Sequence, residues 1–328
     1  MVDNGVMLQR PRRNRRTQAI RDLVHETALS PADLIYPVFL HADAVDTPIE
    51  AMPGQTRWSP EGLIGTAERA LEAGIRSLVL FPKIDDAKKD RLGTEAGNDE
   101  GLIPNTLRSL KSQFPELTLI TDVALDPYSC DGHDGIVADD GTILNDETIE
   151  VLERQALAQA RAGADIVAPS DMMDGRVGRL RRALDSEGFE DVGLLSYTAK
   201  YASAFYGPFR GALDSAPKAG DKKTYQMDPR NRREALRELA LDEAEGADMV
   251  MVKPAGPYLD IIREVRNATM LPVAAYQVSG EYLMIEAAAK SGWLDRRSVA
   301  LESLIGIKRA GADMILTYFA MDAAEWLG

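Results

Sequence analysis

Cysteine is nearly absent: the 328 residues contain one, Cys130. A lone thiol makes no internal disulfide, and it excludes a multi-thiolate zinc cluster within the chain. Histidine is scarce too, and His25, His41 and His133 are too scattered to suggest a histidine-rich metal centre. No apolar stretch approaches the ~18 residues of a membrane span, so a soluble protein with no membrane partner is expected. Positive charge is in deficit, with 38 Lys and Arg against 52 Asp and Glu and a formal net charge of −14. That argues against nucleic acid or an anionic membrane as main partner, and an anionic substrate must meet locally placed cations. Residues 1–16 carry five arginines and little apolar sequence, so they lack the hydrophobic region of a secretory signal. The expected location is the cytoplasm, or a plastid if a basic transit peptide has been removed.

The chain has an ordinary globular composition, 45% hydrophobic and 27% charged. A recurring phrase organises it: Ala73-Gly74-Ile75, Ala162-Gly163-Ala164-Asp165, Glu245-Gly246-Ala247-Asp248 and Ala310-Gly311-Ala312-Asp313, each followed by a short apolar run. Glycine just past a helix accepts the left-handed conformation that closes it, so each phrase predicts a helix end leading into a strand. Strands are expected at 34–40, 77–81, 118–125, 166–169, 193–197, 249–252, 272–278 and 314–318. Amphipathic helical patterns run between them, at 60–72, 146–162, 231–245 and 298–310. Continuous apolar strands alternating with helices require a parallel sheet covered on its outside, and eight such units close into a (β/α)8 barrel. The alternative is an open doubly wound sheet, weakened because no glycine-rich phosphate loop follows the first strand. Outside the barrel at 31–328 lies an N-terminal arm, 1–30, and within it a long loop, 201–228, is expected to act as a lid.

Two lysines end apolar runs: Lys200 after Leu194-Leu195-Ser196-Tyr197-Thr198-Ala199, and Lys253 after Met249-Val250-Met251-Val252. An ammonium drawn out of water loses hydration, so its pKa falls, and a second ammonium nearby lowers it further. The neutral amine can then attack a carbonyl. A single such lysine is commonly a stem covering a strand end with its head in solvent; two at matching strand ends predict a Schiff-base site. Asp122 to Asp126, Ser170, Ser279 and Tyr318 fall at other strand ends, where a parallel barrel places its catalytic groups.

These stretches resemble the porphobilinogen synthase, or delta-aminolevulinic acid dehydratase, family. The resemblance is carried by Asp122-Val123-Ala124-Leu125-Asp126-Pro127-Tyr128, by Ala168-Pro169-Ser170-Asp171-Met172-Met173-Asp174-Gly175-Arg176, by residues 199–210 and 224–227, by Met251-Val252-Lys253-Pro254, by Val278-Ser279-Gly280-Glu281 and by Arg309-Ala310-Gly311-Ala312-Asp313. It implies a hydro-lyase of tetrapyrrole biosynthesis that condenses two molecules of 5-aminolevulinate into porphobilinogen, releasing two waters. Lys253 and Lys200 would each form a Schiff base with one substrate, with Asp122 and Ser170 orienting groups and passing protons. Arg210, Lys222 and Gln226 would grip one substrate carboxylate, Ser279 and Tyr318 the other, with Phe205 and Tyr206 also at the substrate. Lys222 departs from the arginine common in the family, and Ala255 from the usual glycine, which puts the local turn in question.

The resemblance also bears on metals and assembly. Zinc-using relatives place three cysteines where this chain has Ala124, Asp126 and Asp134. Carboxylates suit magnesium, a monovalent cation or water and do not reproduce a soft thiolate site, so no zinc is expected. Glu238 matches the glutamate that holds an allosteric magnesium. Residues 9–16 resemble a segment that wraps a neighbouring barrel, implying a homo-oligomer, mostly an octamer in the family. A rival reading is a class I aldolase, which needs one imine lysine; another is a silent oligomer that binds tetrapyrrole precursors.

Overall fold

The computed structural model describes residues 8–213 and 215–328, the side chain of Arg210 excepted. Its centre is eight parallel strands: β1 (Leu34–Leu40), β2 (Ser77–Pro82), β3 (Thr118–Val123), β4 (Ile166–Pro169), β5 (Gly193–Lys200), β6 (Met249–Lys253), β7 (Val273–Gln277) and β8 (Met314–Thr317). Neighbours pair in chain order, and β8 returns to β1 through Leu34 beside Ile315 and Ile35 beside Leu316. The sheet therefore closes, and the expected (β/α)8 barrel is the architecture. Closure leaves the barrel strands no free edge.

The strands read as unbroken apolar runs because both faces are covered. Ile35 and Phe39 of β1 turn inward to meet Val79, Phe81, Leu195, Tyr276 and Leu316. Leu34, Tyr36, Val38 and Leu40 turn outward against the helices. Those helices are α2 (Pro60–Glu72), α3 (Leu102–Gln113), α4 (Asn145–Arg161), α5 (Arg176–Ser186), α7 (Arg233–Glu245), α8 (Leu259–Ala268), α9 (Ser279–Lys290), α10 (Arg296–Ala310) and α11 (Ala320–Leu327), while α1 (Gln18–Val24) lies in the arm and α6 (Gly207–Leu213) in the lid segment.

Helix α2 shows how the sequence dictates these elements. The Ser59 hydroxyl accepts from the Gly62 N–H and Pro60 supplies a pre-set first turn, so the helix starts there. Leu63, Ala67 and Ala70, three and four apart, form its buried stripe. Truncating Leu63 to alanine would cost about 2–5 kcal/mol. The helix stops at Gly74, and the same device recurs at Gly246 (φ 99°) and Gly311 (φ 129°), backbone that other residues rarely adopt. Two boundaries shift: α10 begins at Arg296 because Asp295 accepts from the Ser298 N–H, and α7 begins at Arg233 without a side-chain cap.

The arm residues Pro11–Arg15 and Gln18–Val24 bury nothing within this chain. Residues 1–7 of the expected arm lie outside the described residues. The chain joins the barrel near Asp33, whose carboxylate is 2.8 Å from the Lys308 ammonium. The lid segment is not a plain loop: Ala204–Tyr206 form a 3-10 turn leading into α6.

Candidate active site

Lys200 and Lys253 are side by side, paired across β5 and β6 at their C-terminal ends. Simple alternation along β5 would not put them there. Leu195 and Tyr197 face the barrel interior, whereas Ala199 and Tyr201 face the helices, so the parity of the strand reverses between Tyr197 and Ala199. The cause is a β-bulge: Val250 pairs Ser196 but Val252 pairs Ala199, leaving Tyr197 and Thr198 opposite Met251 alone. A bulge re-aims the side chains that follow it, and here it turns Lys200 inward. Both lysines line one cavity, with Asp122, Asp126, Asp134, Ser170, Lys222 and Gln226. The free space between these side chains is about 30 Å³.

The Lys253 ammonium sits among four rings, 4.5 Å from the centroid of Tyr276, 5.0 Å from Tyr197, 5.1 Å from Phe209 and 5.3 Å from Tyr206. Aromatic faces attract a cation by about 2 kcal/mol when desolvated, which holds the head in place. They also exclude water. Burial, reinforced by the Lys200 charge and opposed by Asp122, Asp126 and Asp134, brings the Lys253 pKa down to about 7. A large fraction is then neutral amine near physiological pH. Tyr206 and Phe209 come from the lid segment, and the Tyr206 hydroxyl donates to the Lys253 carbonyl at 3.1 Å.

Lys200 lies in a more polar corner. Its ammonium donates to the Ser170 carbonyl and is 3.8 Å from Asp134. Lys222 reaches down from the lid segment to Asp134 at 3.1 Å and Asp126 at 3.5 Å. Burial pushes the Asp134 carboxyl up, but Lys200 and Lys222 outweigh it and hold it well below the usual range. Asp126 goes the other way: burial raises it, Asp134 adds to the rise, and Lys222 compensates only in part. Asp122 is pushed up to about 7 by burial and by Asp126. Its backbone carbonyl is held by Gln159 at 3.0 Å and Gln155 at 3.3 Å, and its carboxylate takes a hydrogen bond from Ser170. Asp122 Oδ1 and Gln226 Oε1 are buried acceptors with no hydrogen-bond partner among the described residues. Such orphan acceptors beside an amine nucleophile suit a substrate bearing an ammonium group.

Ser279 and Tyr318 lie around this cavity rather than in its lining. The Ser279 hydroxyl donates to the Phe205 carbonyl at 3.3 Å and accepts from the Phe209 N–H at 3.1 Å, so it ties the lid segment to α9. Tyr318 is buried inside the barrel, its hydroxyl 2.7 Å from that of Tyr276, and so meets Lys253 through that ring. The side chain of Arg210 lies outside the described residues. Glu238 is half-buried on α7, in a separate acidic recess with Asp174, Asp228 and Glu234. Burial raises its pKa, with Asp242 and Asp174 adding to the effect and Arg176 opposing it. Ala255 has φ −94° and ψ −65°, ordinary right-handed backbone, so this turn needs no glycine. Among the described residues no group of three or more His, Cys, Asp or Glu is placed to hold a metal ion.

Tyr197 and Tyr276 went unnoticed in the sequence because each reads as one apolar member of a buried strand. Glu281 accepts from the N–H groups of Gly256 at 2.7 Å, Val278 at 2.8 Å and Ala255 at 3.3 Å, holding the turn after Lys253. The capping-box position of Glu281 was the available signal.

The profile of the delta-aminolevulinic acid dehydratase family matches residues 8–326. The chain belongs to that family. It is 61% identical to the chloroplastic delta-aminolevulinic acid dehydratase of Physcomitrium patens, across 98% of this chain and 75% of the relative. The chloroplastic delta-aminolevulinic acid dehydratase 1 of Arabidopsis thaliana is 59% identical, across 97% of this chain and 74% of its own. A solved structure of the Toxoplasma gondii enzyme, in complex with the reaction product porphobilinogen, superposes with a TM-score of 0.96 at 52% identity, covering 98% of this chain and 92% of that one. The activity is accordingly that of a lyase which condenses two 5-aminolevulinate molecules into porphobilinogen with loss of two waters, a step of tetrapyrrole biosynthesis. Family members use metal ions.

Proposed function

We propose that Lys253 and Lys200 each form the Schiff base with one 5-aminolevulinate, and that the cavity they share is where the two substrates condense. The observation that carries this is their pairing across β5 and β6 into one cavity, with Lys253 desolvated by four rings. One imine acidifies the carbon beside it, making a nucleophile; the other makes its partner carbon electrophilic. Asp122, near neutrality in its pKa, is suited to pass protons, and Ser170 orients it. Lys222 and Gln226, with Arg210, grip one substrate carboxylate; Ser279 and Tyr318, with Phe205 and Tyr206, shape the place of the other. Residues 201–228 act as the lid, supported by the contribution of Tyr206, Phe209, Lys222 and Gln226 to the cavity wall.

The enzyme is read as a non-zinc, magnesium-type member. Ala124 offers no ligand, Asp126 and Asp134 are oxygen donors, and the Lys222 ammonium supplies positive charge between them. That donor set does not fit a thiolate zinc site; a monovalent cation is the ion it could share with Lys222. Glu238 fits a hard, largely hydrated cation: its acidic neighbours leave it short of positive charge, which magnesium would supply from outside the active site as an allosteric ion. The arginine-rich arm, 1–30, is assigned to docking on a neighbouring subunit of a homo-octamer. The compartment is the cytoplasm, or the plastid if a transit peptide has been removed; the Physcomitrium and Arabidopsis relatives are named chloroplastic.

Borohydride reduction in the presence of 5-aminolevulinate, followed by peptide mass spectrometry, tests the central point. Adducts are expected on both lysines. No adduct on Lys253, or turnover untouched by Lys253→Ala, would sink it.

A further inference from the structure

Arg176 is a cation that the reaction does not use, and it is almost wholly buried, as are Asp171 and Asp242 on either side of it. Its guanidinium lies 3.7 Å from the Asp171 carboxylate and 3.9 Å from that of Asp242. It donates to the Met173 carbonyl at 3.2 Å and to the Ser196 hydroxyl at 3.3 Å, and Ser196 in turn donates to Asp242 at 2.7 Å. One side chain therefore joins three elements: the turn after β4, strand β5 and helix α7.

Two of these attachments bear on Lys200. Ser196 is the last β5 residue in regular register before the bulge that turns Lys200 inward. The turn after β4 begins at Ser170, whose carbonyl receives the Lys200 ammonium. That turn contains Met172 at φ 68°, the one non-glycine residue with positive φ among the described residues. Such backbone is strained and persists only where its surroundings over-determine it. Here the Asp171 carboxylate accepts from the Met173 N–H at 2.7 Å while Arg176 holds the Met173 carbonyl, so Met172 is gripped on its following side by both partners of the ion pair.

We propose that Arg176, with Asp171 and Asp242, is a positioning device for Lys200: it pins the start of the β5 bulge and the strained turn that supplies the Lys200 hydrogen-bond acceptor. Lys253 depends on it less: of the four rings around its ammonium, Tyr206, Phe209 and Tyr276 come from the lid segment and β7, and Tyr197 alone belongs to the bulge. The inference rests on the reading of Lys200 as an imine-forming lysine. A buried charge pair that loses one partner is strongly destabilised, so the test keeps the cation and removes its fork.

In the full-length protein, Arg176→Lys and Ser196→Ala are compared with wild type by borohydride trapping of 5-aminolevulinate, with the adduct measured separately on each lysine. Far-UV circular dichroism and Tm check the fold. Arg176→Lys is expected to reduce the Lys200 adduct about tenfold and to lower kcat by up to ~100-fold, as displacement of a reacting group by an ångström does, while the Lys253 adduct stays within about twofold. Ser196→Ala should shift the same ratio in the same direction, and it decides the matter alone if Arg176→Lys does not fold. Equal losses on both lysines, or an unchanged Lys200 adduct, overturn the positioning role. A wild-type protein that traps nothing on Lys200 overturns instead the underlying assignment of that lysine.

Discussion

Lys200 stands next to Lys253 only because Tyr197 and Thr198 together oppose Met251. Were the same residues of β5 to alternate without the bulge, Lys200 would share the outward face of Leu194 and Ser196. Deleting Thr198 removes the extra residue and should leave Ala199 opposite Val252 and Lys200 opposite Lys253 in simple alternation, still facing the cavity. The expected outcome is that the Lys200 adduct persists; its loss would show that the bulge itself, and not the register alone, aims this lysine. Trapping on Lys253, measured in the same digest, should survive if the barrel remains folded by circular dichroism.

The lowered Lys253 pKa has a signed consequence for pH dependence. An amine attacks only when neutral, so kcat/KM should rise with pH up to about 7, the value to which burial and Lys200 bring this group. Below it the neutral fraction falls about tenfold per pH unit. Asp122 pulls the other way, favouring the charged amine. Asp122→Asn should therefore move the acid limb of Lys253 adduct formation to lower pH, whatever it does to turnover. A shift to higher pH would contradict the electrostatics described.

For Asp126 and Asp134 the expectation concerns metal removal. Chelators specific for zinc should leave activity unchanged, because a methyl and two carboxylates, with Lys222 between the carboxylates, give a soft thiolate-seeking ion nothing to hold. Activity lost to such a chelator and restored by zinc alone would overturn that assignment.

Glu238 carries a separate prediction. Glu238→Gln should abolish the response of activity to added magnesium, read together with sedimentation in chelator and then in magnesium. An undiminished response in the variant would place the ion elsewhere.

The lid segment offers a measurement on binding. Ser279 makes two hydrogen bonds to it, through Phe205 and Phe209. Ser279→Ala should raise KM by about fivefold to thirtyfold, the range for one or two lost hydrogen bonds at ~1 kcal/mol each. An unchanged KM would show that substrate binding does not depend on this tie.

Much of the architecture was legible because it follows from short-range chemistry. Apolar runs of strand length, helix patterns of period 3.6 and glycines such as Gly246 and Gly311 after helix ends act within a few residues, so the eight strands and the barrel they close into could be read directly. Both site lysines were legible for the same reason, each being a charge at the end of a buried run. The segment 201–228 was read as loop, although Gly207–Leu213 form a helix there. A glycine and a proline at its start mask a helix held by contacts with α9.

By itself, then, the sequence determined the barrel and the family and named the candidates for the chemistry, because local propensity and ordered motifs suffice for that. Only the tertiary structure decided which of them meet. It placed Lys222 between Asp126 and Asp134, set Tyr276 under Lys253 from a strand beyond β6, and turned Lys200 inward through a bulge that alternation cannot foresee. Each of these depends on the register of one strand or loop against another. Register is settled by packing across the whole barrel, not by the residues on either side of the group it moves.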